Sequence, residues 1–256
     1  MHVLDFVESP DFLHVLHQMV APIGCSIDSA AIYQPQGSVN AAETQLIDAG
    51  TKFVSPEQSR ILKDWWLKYQ QGARLPTWDL AVTAMLPPHQ RALILVEAKA
   101  HAKELCRNGK DVAVRKTPDQ QLRSNANHLQ IQEAIKQAND YLSHSIPGIN
   151  FSSAECYQFA NRVAWAWKLA SLGVPVALVY LGFVGDKEIA QTGTFSTAAD
   201  WYRAFVDHIV NHFPISHLGH EIPCGQASFW LIVRALEVKQ RSASLPVRRE
   251  WRQAKV

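Results

Sequence analysis

Three side chains in this sequence have types and spacing suited to chemistry: Asp79, Glu97 and Lys99. Asp79 precedes the apolar run Leu80-Ala81-Val82, and Glu97-Ala98-Lys99 follows the run Ala92-Leu93-Ile94-Leu95-Val96. Between the runs, Pro87-Pro88-His89-Gln90 reads as a turn, so the segment is expected to be a hairpin. A buried sheet rejects an unpaired carboxylate, so charges at the ends of two apolar strands need a reason. Alternation along a strand sets Glu97, Lys99 and His101 on one face and turns Ala98 and Ala100 to the other. Two carboxylates and an ammonium converging on one spot are the parts of a divalent-metal hydrolytic centre, the carboxylates for the ion and the ammonium for the water. Magnesium prefers hard oxygen ligands and keeps several waters beside one or two carboxylates. A lysine beside it stabilises growing charge or positions a nucleophile. His101 is a candidate substrate-binding residue on the same face, as a phosphate contact or accessory base, and otherwise an ordinary strand-end histidine.

Asp79 followed by Glu97-Ala98-Lys99 resembles the PD-(D/E)XK nuclease superfamily, which includes restriction endonucleases and repair nucleases. The residue before the acid is Trp78, and the nearest proline is Pro76. The resemblance implies an α/β fold, a restriction-endonuclease-like sandwich with the hairpin central in a mixed β-sheet flanked by helices. It implies that Asp79 and Glu97 bind magnesium, with manganese as a substitute, that the Ala98 carbonyl is a further ligand, and that Lys99 orients or activates the attacking water. The implied activity is that of a metal-dependent hydrolase, a nuclease cutting phosphodiester bonds in DNA more readily than in RNA. The alternative is a catalytically inactive nucleic-acid-binding or partner-binding module on the same fold. In the plainest reading Glu97 and Lys99 pair at a strand end and Asp79 is a turn acid.

The elements that must hold these residues are partly readable. A helix is expected near residues 12–20 and another over 40–48, where Asn40 caps, Glu43 completes the cap and Gly50 closes. Ser55-Pro56-Glu57-Gln58 carries a serine cap, a proline at the first position and a capping-box glutamine. The helix it starts has one apolar face of Ile61, Leu62, Trp65, Trp66 and Tyr69. A loop or lid follows Lys99, with a short helix at 103–107. Helices are expected over 128–143, 155–171 and 198–212, and strands over 174–184 and 230–238. The order gives one α/β domain over 1–256, with an amino-terminal extension to residue 39 and a basic tail from 240.

On the helix over 155–171, Gln158, Asn161, Arg162, Trp165 and Lys168 share one side, while Phe159, Val163 and Ala170 suit the sheet. Gln158 and Arg162, one turn apart, are tentative phosphate-binding residues, and Trp165 could stack on a base. The competing reading is an ordinary wet face. Glu43 and Glu57 are further acids that helix capping and the helix dipole explain equally well.

At 256 residues, 47% hydrophobic and +2 in net charge, the chain suits a globular protein and is not coated in basic residues. Its basic residues instead cluster at Lys103, Arg107, Lys110, Arg115, Lys116 and Arg123, and again between Lys239 and Lys255. Either cluster could contact nucleic acid phosphates. Four scattered cysteines read as reduced thiols, and with no signal-like start or membrane-length apolar run a cytoplasmic protein is expected. Nucleic acid is the expected partner, membrane is not, and a homodimer is allowed. His208, His212, His217, His220 and Cys224 form a loose zinc-like tract without tight ligand pairs. No phosphate-binding glycine loop or serine-nucleophile motif is present.

Overall fold

In a computed structural model of the chain, residues 2–47, 53–186 and 193–238 are described. The expected basic tail, with Lys239 and all that follows, lies outside them. The helices are α1 (His2–Val7), α2 (Phe12–Val20), α3 (Pro56–Trp66), α4 (Pro118–Ser145), α5 (Tyr157–Ser171) and α6 (Ala198–Ile209). The strands are β1 (Tyr33–Gln34), β2 (Leu80–Leu86), β3 (Gln90–Lys99), β4 (Val176–Val184), β5 (Glu221–Pro223) and β6 (Ser228–Glu237). They form a six-stranded mixed sheet in the order β1-β2-β3-β4-β6-β5, flanked by helices. β2 and β3 are the expected antiparallel hairpin, with Leu80 opposite Val96 and Leu86 opposite Gln90. β3 then pairs parallel to β4, and β4 parallel to β6. Both parallel steps are bridged by helices, α4 and α5 in the first and α6 in the second. β4 is buried at all nine positions, in keeping with its unbroken apolar run.

Each face of the sheet has its own core. Leu80, Val82, Ile94, Val96, Val179 and Leu181 pack with Phe6, Phe12, Leu16 and Val20 of α1 and α2. Residues at the start of the chain therefore cover one whole face. Ala81, Leu93, Leu95, Leu178 and Tyr180 face the other way, into the core under α3, α4, α5 and α6. Gly182, on the second face, allows a close approach: a Cβ there would lie 2.3 Å from the Trp201 ring of α6. No helix among the described residues is long and apolar enough to cross a membrane.

The structure keeps most sequence expectations and corrects four. α3 starts with the expected capping box, Ser55 Oγ accepting from Gln58 N–H and the Gln58 side chain accepting from Ser55 N–H. The helix expected over 40–48 is absent from its described part. Thr44 instead exchanges backbone bonds with Trp78, at 3.3 and 2.9 Å, and the Glu43 carboxylate accepts from the Thr77 hydroxyl at 2.6 Å. Tertiary pairing outcompetes the local cap there; Asp48 and Gly50 lie outside the described residues. α4 begins at Pro118, ten residues before the expected 128, with Thr117 as its cap. Its buried residues start only at Ile131, so the first turns carry no apolar period to read. The segment after Lys99 holds a short 3-10 turn, Ala102–Glu104, in place of a helix over 103–107. The fourth correction concerns α5: its polar side is not wet, since Asn161, Arg162 and Trp165 are all buried. Trp165 packs against Trp65 and Trp66, ring centroids 6.0 and 5.6 Å away, and is not available to a base.

Candidate active site

The chemistry-bearing residues meet at one end of one sheet face. Odd-numbered residues of β3 point toward α5, so Glu97 and Lys99 continue the file begun by Leu93 and Leu95. Asp79 lies one residue before β2, and the hairpin register carried one step past Leu80–Val96 sets it opposite Glu97. Its Oδ2 accepts the Ala98 N–H at 2.7 Å, which fixes the carboxyl beside the strand. On the other flank Tyr180 of β4 is the register partner of Glu97. Glu97 thus sits between an acid and a phenol.

Its charge is compensated from two directions. Lys99 Nζ donates to Oε1, and Gln158 Nε2 of α5 donates to the same oxygen at 2.6 Å. One helical turn on, Arg162 Nε donates to Oε2 at 2.6 Å. The Arg162 guanidinium lies 4.6 Å from the ring centroid of Trp78, so the tryptophan before the acid becomes its platform. Glu97 is 1% exposed, Lys99 6% and Arg162 7%, so all three charges are taken out of water together. Burying such ions is costly unless each is paired and hydrogen-bonded, and here each is.

The two carboxylates are shifted in opposite directions. Burial pushes the Glu97 carboxyl up, but the charges of Arg162 and Lys99 and their hydrogen bonds outweigh it, holding its pKa below the ordinary value. Asp79 goes the other way. Burial and then the facing charge of Glu97 push it up to about 6, against the Ala98 N–H and the charges of Lys99 and Arg162. Burial followed by the Glu97 charge also keeps Tyr180 protonated far above its usual range. The Tyr180 hydroxyl and Asn161 Oδ1 are buried without a hydrogen-bond partner.

An acid whose pKa is raised by a facing carboxylate suits a cation between the two, and their oxygens suit a hard one. Among the described residues no group of three or more His, Cys, Asp or Glu side chains forms a self-contained metal cage. A pair of carboxylates completed by water and substrate oxygens fits magnesium better than zinc. Glu97 already receives Lys99, Gln158 and Arg162, leaving part of its lone-pair capacity for an ion.

Compared with family models, curated proteins and solved structures, the chain matches none. The site therefore has to be read from its own geometry.

The structure brings together Asp79, Glu97, Lys99, Gln158 and Arg162, but it gives the α5 pair a different task. Gln158 and Arg162 hold the Glu97 carboxylate, the anion already present. His101 follows β3 in an isolated bridge with Thr194, its Nε2 3.7 Å from Glu104. The late histidines scatter. His208 is buried with Nδ1 3.8 Å from Cys156 Sγ, and burial drives its pKa down to about 4. His212 bonds the Asn150 carbonyl, and Cys224 is buried with its thiol on the Ile222 carbonyl. Sequence reasoning missed Tyr180 and the Trp78 platform. Tyr180 lies inside an apolar run that reads only as core, and Trp78 has no signal beyond its position before Asp79.

Proposed function

We propose that this chain is a magnesium-dependent nuclease hydrolysing phosphodiester bonds, in DNA before RNA, on a restriction-endonuclease-like sandwich. The observation that carries the reading is the meeting of Asp79 and Glu97 across adjacent strands, with Lys99 on the same face and two α5 residues bracing Glu97. Asp79 and Glu97 would hold the metal, with the Ala98 carbonyl beside them as a further oxygen. When bound, the ion polarises a phosphoryl oxygen and lowers the pKa of a bound water. Arg162 and Lys99 keep Glu97 ionised, and Gln158 and Arg162 fix its direction. Lys99 orients the attacking water and offsets charge growing on the phosphate. The water releases a proton to solvent as its oxygen forms the new bond to phosphorus, the bond to the leaving oxygen breaks, and that oxygen takes a proton from solvent. A second reading has its own support: with both Glu97 oxygens taken by Lys99, Gln158 and Arg162, the cluster also suits a module that binds nucleic acid without cutting it.

The test incubates wild type, Asp79→Ala and Lys99→Ala with supercoiled, linear and single-stranded DNA and with RNA, in magnesium, manganese or chelator. Metal-dependent cleavage by wild type, reduced at least about 100-fold in both variants, is the expected result. Binding without cleavage on every substrate and metal selects the non-catalytic module.

A further inference from the structure

A second basic pair lies on the loop after β3, which is bonded to the start of α5, and on α4. The loop is fixed through its backbone. Lys110 N–H donates to the Ser153 carbonyl at 2.8 Å, and the N–H groups of Cys156 and Tyr157 donate to Arg107 and Asn108 at 3.0 and 3.1 Å. Gly109 lies so flat on this segment that a Cβ would stand 2.3 Å from the Ala154 carbonyl oxygen. The ammonium of Lys110 sits 4.9 Å from the centroid of the Tyr157 ring. Tyr157 immediately precedes Gln158, whose amide holds Glu97. Lys110 is thus held on the first turn of α5, the helix that carries Gln158 and Arg162.

Its surroundings lack the anion they call for. Half-buried Lys110 pairs with no carboxylate among the described residues, and burial lowers its pKa. Across from it, His128 of α4 is held below its ordinary pKa by burial and then by the charge of Lys110, with Asp111 the one acid opposing this. His128 Nδ1 is buried without a hydrogen-bond partner. Two other basic residues of the same segment, Arg107 and Arg123, are engaged internally. Arg107 donates to the Asp207 carbonyl at 2.7 Å, while Arg123 meets Asp119 at 3.1 Å and Gln71 at 3.1 Å. Beside Lys110, His128 is thus a second basic group whose buried ring nitrogen has no partner of its own.

We propose that Lys110 and His128 form a phosphate-binding notch that grips a backbone phosphate adjacent to the one being cleaved. This rests on the nucleic-acid reading above. The ammonium, seated on an aromatic face, is a directed point charge for a phosphoryl oxygen, and the imidazole supplies a hydrogen bond once the anion is present. A contact of this kind sets position along the backbone and carries no base preference.

The experiment compares wild type with Lys110→Met, Lys110→Arg and His128→Ala. Binding of a labelled oligonucleotide is measured in chelator across a salt series, and kcat and KM are measured in magnesium. Lys110→Met is expected to weaken binding about tenfold at low salt and to lower the salt-dependence slope by about one. KM should rise with kcat kept, and Lys110→Arg should restore most of the loss. Inorganic phosphate is also titrated against the His128 ring resonances by NMR, expected to move in wild type and not in Lys110→Met. Unchanged affinity and slope in Lys110→Met and His128→Ala overturn the notch even where wild type cleaves DNA. A wild type that neither binds nor cuts nucleic acid removes the nuclease reading. In that case a silent phosphate titration overturns the notch as well, whereas a shift lost in Lys110→Met supports it as an anion site.

Discussion

The two faces of β3 are made from one continuous stretch of chain and end differently. Even-numbered residues Ala92, Ile94 and Val96 lie in the core under α1 and α2, and that face stays apolar through Ala98 and Ala100. Odd-numbered Leu93 and Leu95 lie in the core under α3 to α6, and that face ends in Glu97 and Lys99. Both faces are equally dry where they begin, so burial alone does not explain the charges. The difference lies in the cover: α5 meets the charged end with Gln158 and Arg162, whereas α1 and α2 meet theirs with Phe6, Phe12 and Leu16. The even face is what a sheet built for stability looks like. The odd face keeps an acid, Asp79, whose ionisation the surroundings oppose, and such perturbed groups concentrate at functional sites.

The sharpest way to break this contrast is Glu97→Ala. On the charged face the change strands Arg162 and Lys99 in the interior without their shared counter-charge, at an expected cost of about 3–5 kcal/mol. Urea unfolding with circular dichroism measures it, and the proposed cleavage should vanish with the proposed metal site. Glu97→Gln tests the cause, since it keeps the shape and removes only the charge; a loss as large as for alanine is expected. A cost below about 1 kcal/mol for either variant means the cluster is far wetter than its burial implies.

Ile94→Ala makes the matching cut on the other face. Ile94 is fully buried in the apolar core, so truncation should cost about 2–5 kcal/mol. Activity corrected for the folded fraction, together with its metal and pH dependence, should match wild type. A changed metal requirement would mean that the faces are coupled and that the contrast drawn between them is too clean.

What could be read in advance follows the same division. The hairpin, its facing acids and the α3 capping box are short-range patterns, and all are found in the fold. Gln158 and Arg162 were legible as two polar residues on one side of a helix. Their target was not, because it depends on the parallel β3–β4 pairing that carries α5 over Glu97. Trp165 shares that side, and sequence could not tell that α3 would cover it with Trp65 and Trp66. At Asn40 and Glu43 the local signal was sound and still lost, since Thr44 gains a partner in Trp78 that lies far along the chain. Short-range rules fail here wherever a distant segment offers the same backbone a better partner.

The smallest expected effect is the most discriminating. Asp79 has an ordinary pKa of 3.8 and is raised to about 6 by burial and by Glu97. A raised folded-state pKa contributes stability that is fully present below the unfolded value and is lost as pH rises through the folded value. Near pH 8 the ionised Asp79 therefore weakens the fold, by about 1–3 kcal/mol at roughly 1.4 kcal/mol per pKa unit. Asp79→Asn removes that charge and keeps an oxygen to accept the Ala98 N–H. It should accordingly be more stable than wild type at pH 8, with the advantage shrinking through pH 6 and gone near pH 4. Magnesium should raise the melting temperature of wild type at pH 8 and leave Asp79→Asn unmoved, while cleavage is lost in the variant. Equal stability of the two proteins at every pH would remove the strain attributed to Asp79, leaving the charged end of the odd face as an ion-pair cluster built for structure.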